Sequence, residues 1–369
     1  MNVPGADGID LTVLADVLKT MFGKEAAPVS HRAAPLRGGT LGDVRLITGF
    51  AKTSCCGTVP YELVCKTQGK WERPGDPGSW RREYDLYDSD LESFLTGALR
   101  RPECYLSEIG DDAVRLWMEY AGGVSGAGLA VEMLEKAATE LGRLQGRIYS
   151  ANGRVRGIGC ASDAGYMRRD LEQWYNRTYS YDFLYDGSYP LPEHVKRLIG
   201  KYMWDNGRTI EYNILRLDEC GVPAHLKKMI TDLDGNTDEA FKAFQELSVV
   251  FCHRDFWTGN IIFEDGKITL IDWDTAGWGY LGEDIASLIA DETAGVKISE
   301  YFRRFVPAYL EGVSGYMGIP RDFGRHIKNM IVIKFGYRVA QAYMFAESED
   351  ARDESISILQ GIYDLWGPK

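Results

Sequence analysis

The sequence predicts an α+β fold of two lobes: a β-rich first lobe over residues 1–120, and a mainly helical second lobe over 121–369 with a β-hairpin inserted. Three observations carry this reading. Short β-prone runs joined by glycine-bearing turns fill most of the first lobe, helical periodicity dominates the second, and a compact β-prone stretch interrupts it around Phe251–Asp274. Strands first and helices afterwards is a segregated order, unlike the alternation of a βαβ chain.

Taken in order, residues 8–22 place apolar positions at helical spacing. The runs HRAAPLRGGT, GDVRLITGFAK and YELVCKTQ then read as an antiparallel meander. Residues 76–95 read as one helix, with Asp76 or Ser79 as its N-terminal cap and Tyr84, Leu86, Tyr87, Leu91 and Leu95 on its apolar face. Strands at RPECYLSEIG and AVRLWMEY follow, and the glycine cluster AGGVSGAG reads as a flexible link. Beyond it Leu134, Ala137, Leu141, Leu144 and Ile148 advance by 3, 4, 3 and 4 residues, which makes a single apolar helix stripe. Residues 165–250 and 299–365 read as helical. Between them VVFCHRD, NIIFED and KITLIDWD are β-prone, with Asp265-Gly266 as a tight turn.

A chain of 369 residues can bury a substantial core, and 45% hydrophobic with 26% charged residues is ordinary for a globular protein. The formal charge of −12 argues against nucleic acid, whose partners carry basic stripes, and leans toward a cationic small substrate. The seven cysteines are odd in number and show no C-x-x-C pair, which fits reduced thiols in a cytosol. The N-terminus has acidic residues before its apolar run and no segment offers 18 uninterrupted apolar residues, so a cytoplasmic protein with no membrane span is expected. Oligomeric state is not readable.

The stretch FCHRDFWTGNIIFEDGKITLIDWD carries the chemistry. Asp255 and Asn260 are five residues apart, the separation in the kinase catalytic loop, where the Asp orients a hydroxyl and the Asn holds Mg²⁺. Asp272 lies 12 residues beyond Asn260, and an intervening hairpin would let both converge on one hard cation. The His253-Arg254-Asp255 run suggests a protein kinase, but Asp272-Trp273-Asp274 stands where Asp-Phe-Gly is expected, and no Ala-Pro-Glu follows.

HRDFWTGNIIFEDGKITLIDWDTAGWGYLGEDIASL resembles the signature of the aminoglycoside phosphotransferase and choline kinase-like family, of protein-kinase-like fold. His253, Asp255, Asn260, Ile271, Asp272, Trp273, Asp274, Gly282, Asp284, Ile285 and Ala286 match it; Arg254 stands where that family usually has Gly. The resemblance implies ATP and Mg²⁺ as cofactors, Asp255 as the catalytic residue and Asn260 and Asp272 as metal ligands. His253 reads as structural. Asp274 either ligates a second metal or caps the following turn, and it joins Trp257, Trp278 and Glu283 as acceptor-site candidates.

In the first lobe, Gly38, Gly39, Thr40 and Gly42 form a turn whose small residues let backbone N–H groups approach phosphates. Lys66, on an otherwise apolar strand, suits the lysine that pairs with the α/β-phosphates, and Glu83 suits its carboxylate partner. The competing readings are a snorkelling edge-strand lysine and an exposed helical glutamate. Glu119, in the link near Met118 to Gly123, completes the nucleotide candidates.

The expected activity is transfer of the ATP γ-phosphate to a hydroxyl of a small molecule: an aminoglycoside, choline or another amino alcohol, or a sugar-like acceptor. A catalytically silent nucleotide-binding protein of the same fold, and a protein kinase, are the alternatives. The aromatic segment Leu171–Pro190 offers a face for a cation or sugar, against helix packing as its simpler account.

Overall fold

The structure, a computed structural model, describes residues 9–36, 42–71, 76–95, 97–151, 155–157, 163–176 and 221–367. The chain divides into two compact units. The first comprises residues 1–128, 155–161 and 259–276; the second comprises 129–154, 162–258 and 277–369.

The first unit opens with α1 (Leu11–Phe22), whose start is fixed by the Asp10 carboxylate accepting from the N–H of Thr12 at 2.8 Å. It ends at Gly23, whose φ of 65° is the left-handed conformation glycine adopts freely. The meander follows as β1 (Ala26–Pro35), β2 (Gly42–Thr53) and β3 (Gly57–Gly69), then β5 (Cys104–Ile109) and β6 (Ala113–Glu119) after the two-residue β4 (Leu99–Arg100). The sheet order is β1-β2-β3-β6-β5, so β3 is central and pairs on both sides. One apolar face of α1, through Leu14, Val17 and Leu18, packs with Ile47, Leu63 and Trp117 of the sheet.

The expected helix over 76–95 is broken. The chain makes a 3₁₀ turn at Ser79–Arg81, a short α2 at Arg82–Tyr87 and a second 3₁₀ turn at Asp90–Phe94, with the Ser89 hydroxyl accepting from Leu91 N–H. Asp76 caps nothing. Its carboxylate takes a bidentate pair from Arg82, at 2.9 and 2.6 Å, and both side chains are 0% exposed. A buried guanidinium demands a counter-ion, and Asp76 supplies it.

The glycine cluster is built structure rather than a free tether. Val124–Ser125 form β7, which pairs with Phe263 and Ile262 of β9 (Ile261–Glu264). β9 and β10 (Lys267–Leu270) are the expected hairpin, closed by Asp265 at φ 47° and Gly266 at φ 78°. With β4 they form a second sheet in the order β4-β10-β9-β7, which places the hairpin in the first unit.

In the second unit α3 (Val131–Ser150) buries the expected stripe, from Leu134 through Ile148. α4 (Tyr166–Asn176), α5 (Ala224–Gly235) and α6 (Thr237–Phe244) fall within the block expected to be helical; most of the aromatic segment Leu171–Pro190 lies outside the described residues. β8 (Val249–Cys252) pairs antiparallel with β11 (Gly277–Tyr280), followed by α7 (Glu283–Ala290) and α8 (Gly295–Val313). The last helical block comprises α9 (Phe323–Ile331), a π turn at Val332–Gly336, α10 (Tyr337–Phe345) and α11 (Glu349–Trp366). Among the described residues, no helix is long and apolar enough to cross a membrane.

Helices α3 and α8 cross at paired glycines. A Cβ on Gly142 would overlap the carbonyl oxygen of Tyr309, and one on Gly312 would overlap that of Thr139. Glycine inside a helix normally costs about 0.5–1 kcal/mol relative to alanine. Here the sign reverses: Gly312→Ala is expected to lower the unfolding free energy by about 1–3 kcal/mol in urea titrations. Asp76→Ala, which strands a buried guanidinium, is expected to cost about 3–5 kcal/mol by the same measurement, with much of the loss recovered when Arg82 is also replaced by Met.

Candidate functional site

Lys66 sits on the central strand β3, between Val44 of β2 and Leu116 of β6, so it is not an edge lysine. Its side chain is 13% exposed. A charge in that position must be compensated, and two carboxylates do so: the ammonium donates to Glu83 at 2.5 Å and to Asp272 at 2.5 Å. Burial lowers the Lys66 pKa, but Glu83, Asp272 and Asp274 outweigh it and hold the ammonium well above its ordinary range.

Glu83 comes from α2 and is 4% exposed, so it is not an ordinary surface glutamate. Its second oxygen accepts from the backbone N–H of Trp273 at 3.4 Å. The Asp76–Arg82 pair anchors the residue immediately before it, which fixes the helix carrying Glu83.

Asn260 and Asp272 flank the open end of the β9–β10 hairpin. Ile261 and Leu270 are register partners, and Ile271 N–H donates to the Asn260 carbonyl at 3.1 Å. Asp272 has a φ of 63°, a conformation that costs a non-glycine residue about 1 kcal/mol or more and recurs at functional positions. Its neighbour Trp273 is 1% exposed, with its indole N–H on the Leu270 carbonyl at 2.9 Å, and serves the core. Asp274 is partly exposed and close enough to raise the pKa of Lys66.

Gly42 opens β2, where a Cβ would come 2.8 Å from the Thr67 carbonyl oxygen; close strand approach therefore requires glycine. Gly38, Gly39 and Thr40 lie outside the described residues. Glu119 ends β6, and its carboxylate is committed to Arg100, with one contact at 2.8 Å, and to the N–H of Glu103 at 3.1 Å. These partners hold it below the usual carboxylate range against the opposing effect of burial.

The second unit holds Asp255 on the loop after β8. The two residues before it are clamped by Asp284 of α7, whose carboxylate accepts from His253 N–H at 2.9 Å and Arg254 N–H at 2.7 Å. Asp284 also accepts from the Gln145 amide at 3.0 Å, and Gln145 in turn accepts from the Tyr309 hydroxyl at 2.5 Å. Burial pushes the Asp284 carboxyl up. Sequence reasoning misses Gln145 and Tyr309 as members of this chain. The available signal is a polar Gln145 one residue from Leu144 on the buried stripe of α3.

Arg254 has a φ of 67°, which explains why a glycine is economical at that position. Its side chain is compensated inside the second unit. The Nε lies 3.6 Å from Glu283, Nη2 donates to the Asp163 carbonyl at 3.0 Å and to the Trp278 carbonyl, and the guanidinium sits 4.3 Å from the Tyr166 ring centre. Glu283 is accordingly 2% exposed and occupied by Arg254 and by Tyr280 N–H at 3.3 Å. Trp257 is partly exposed; Trp278 is also partly exposed and meets Phe251 edge-on at 5.6 Å. Burial raises the Asp291 carboxyl, Arg338 opposes this, and Asp255 adds to the rise, so Asp255 and Asp291 share one electrostatic neighbourhood.

Comparison with known proteins gives a consistent picture. The model of the phosphotransferase enzyme family (APH) matches residues 94–316. Ethanolamine kinase 2 of Mus musculus is 34% identical over 87 residues, which is 21% of this chain and 22% of that protein, so the match spans under a quarter of the relative. Among solved structures, a microcompartment-associated aminopropanol kinase has a TM-score of 0.52 at 13% identity, over 96% of this chain and 95% of that one. A choline kinase from Cryptosporidium parvum Iowa II has a TM-score of 0.52 at 12% identity, over 91% and 90%. An amicoumacin kinase has a TM-score of 0.51 at 14% identity, over 90% and 88%. At such identities the likeness shows the fold alone, which is that of the kinase-like phosphotransferases. The family match covers more than half of the chain, and the protein belongs to the phosphotransferase enzyme family.

Proposed function

We propose that the protein transfers the γ-phosphate of ATP to a hydroxyl of a small molecule. The observation that carries this reading is Lys66, charged and held at 2.5 Å from both Glu83 and Asp272. Phosphoryl transfer asks a protein chiefly for positioning and charge neutralisation, and this cluster supplies a fixed ammonium together with a carboxylate suited to a metal. A silent relative is disfavoured because Asp255 and Asn260 stand in the sequence beside Lys66, Glu83 and Asp272, so none of the expected polar groups is missing.

The donor set fits Mg²⁺. Asn260 and Asp272 offer an amide and a carboxylate oxygen from the two ends of one hairpin, and hard oxygens are what magnesium takes. Among the described residues no three His, Cys, Asp or Glu side chains gather as a metal cage, and magnesium bound together with phosphates needs none. When bound, the ion would neutralise charge on the phosphates. Lys66 would hold the phosphate oxygens, Glu83 would hold Lys66, and Asp255 would accept a hydrogen bond from the acceptor hydroxyl and orient it. Gly38, Gly39, Thr40 and Gly42 would cover the phosphates, and the Glu119–Gly123 link would meet the base.

A cationic acceptor, such as an amino alcohol, fits the formal charge of −12 and the Asp255 carboxylate, whose charge reaches Asp291. Asp274, Trp257 and Trp278 remain as acceptor contacts on this reading. Glu283 is better explained as the counter-ion of Arg254.

Asp255→Asn is expected to lower kcat for acceptor-dependent ADP release by about 10²–10⁴-fold, with nucleotide affinity retained; turnover at the wild-type rate would remove the role given to Asp255. Asp272→Ala is expected to weaken Mg-nucleotide binding by calorimetry at least about tenfold, and unchanged affinity would exclude metal ligation by Asp272. Gln145→Leu should lower kcat about tenfold while the nucleotide KM stays constant, because it acts through Asp284 on the loop that carries Asp255. Gln145→Glu, which offers Asp284 a carboxyl in place of an amide donor, should make the residual kcat rise as pH falls.

A further inference from the structure

The β2–β3 hairpin ends in adjacent cysteines at its tip. Ser54, Cys55 and Cys56 make the connection between Thr53 and Gly57, whose φ of 71° lets the chain turn back. The tip is held in place. Cys56 N–H donates to the Thr53 hydroxyl at 3.3 Å, and Ser54 N–H donates to the Glu25 carbonyl at 3.1 Å, tying the tip to the chain just after α1.

Both thiols are exposed, and their sulfurs lie 2.7 Å apart. Lys24 brings its ammonium to 3.0 Å from Cys55 Sγ and 3.4 Å from Cys56 Sγ. The hydrogen bond with Cys56, and after it the one from Lys24, lowers the Cys55 thiol pKa, while the Lys24 ammonium rises in return.

The other described cysteines are inert by comparison. Burial pushes Cys65 and Cys104 each up to about 11, and Cys252, fully buried, well above the ordinary range. Thiol reactivity follows thiolate character and access together. Only the hairpin tip combines both among the described cysteines.

We propose that Cys55 and Cys56 form a redox-reactive dithiol, modified by low-molecular-weight disulfides and activated by Lys24. The Cys55 thiolate attacks one sulfur of a disulfide RSSR: a bond forms between Cys55 and that sulfur, the RS–SR bond breaks, and RS⁻ leaves to take up a proton. Cys56 then gives its proton to solvent and attacks the Cys55 sulfur, which expels the second RS⁻. Two protein thiols are oxidised to one disulfide and RSSR is reduced to two RSH. The proposal is independent of the phosphotransfer reading, since Lys24, Cys55 and Cys56 take no part in it.

The test incubates the reduced full-length protein with oxidised glutathione near neutral pH. Samples are quenched in acid, alkylated and read cysteine by cysteine by peptide mass spectrometry. Cys55 and Cys56 should lose their free thiols at least about tenfold faster than Cys65, Cys104 and Cys252. Lys24→Met should slow that loss about three- to tenfold, and Cys56→Ser should stop at a glutathione mixed disulfide on Cys55. Urea midpoints matched to the wild type ensure that opening of the fold does not set the rates. Equal rates at Cys55, Cys56, Cys65, Cys104 and Cys252, or an unchanged rate in Lys24→Met, would overturn the proposal.

Discussion

An ammonium placed on the middle strand of a sheet is the constraint on which the first unit depends. Removing one charge from water costs several kcal/mol unless a partner replaces the lost solvation. Lys66 meets that demand through Glu83, 17 residues away, and Asp272, 206 residues away. Three segments must therefore arrive together: the strand, the short helix after it, and the turn beyond the hairpin. The same Glu83 carboxylate accepts from the Trp273 N–H, so side-chain and backbone contacts close on one residue. The buried Asp76–Arg82 pair steadies the helix that delivers it.

The second unit solves a related problem with the charges reversed. Asp284 is a carboxylate at 1% exposure, and it is made tolerable by backbone donors on the loop ahead of Asp255 and by Gln145. A carboxylate with that many fixed donors leaves the loop few other shapes. Arg254 shows how much shape the loop imposes. It accepts a left-handed backbone at a cost of about 1–2 kcal/mol, and its side chain offsets this through Glu283, two carbonyls and the Tyr166 ring. The arginine that makes the motif look like a protein kinase is thus an internal brace.

What is legible in the sequence follows from the range of the forces involved. The α3 stripe, the meander and the Asp265-Gly266 hairpin are set by local periodicity and turn chemistry, and all three are read correctly from neighbouring residues. The pairing of Lys66 with Glu83 is legible because strand order and spacing narrow the candidates. The breaks in the helix over 76–95 are misread because the apolar spacing there is helical, while the guanidinium that engages Asp76 lies six residues on and leaves no mark in that spacing. Glu283 and Glu119 stand out as site residues by position alone, and neither spacing nor periodicity reveals that Arg254 and Arg100 already engage them. Gln145 is hidden for the opposite reason: its partners, Asp284 and Tyr309, lie 139 and 164 residues further along the chain.

Charge arithmetic bears on how a nucleotide would enter, on the proposed reading. The Lys66 ammonium faces Glu83, Asp272 and Asp274, and the chain as a whole carries −12. Carboxylates repel a bare polyphosphate and attract a divalent cation. Metal and nucleotide are then favoured as a pair over either one alone. The carboxylates that keep Lys66 charged are the groups a cation would partly take over, so Lys66 would become available to phosphate as Asp272 is drawn toward the metal. Glu83, tied also to the Trp273 backbone, has less freedom to leave and keeps the ammonium in place throughout. That division of labour would give the more exposed carboxylate, at 38%, to the metal and leave the buried one, at 4%, to the lysine.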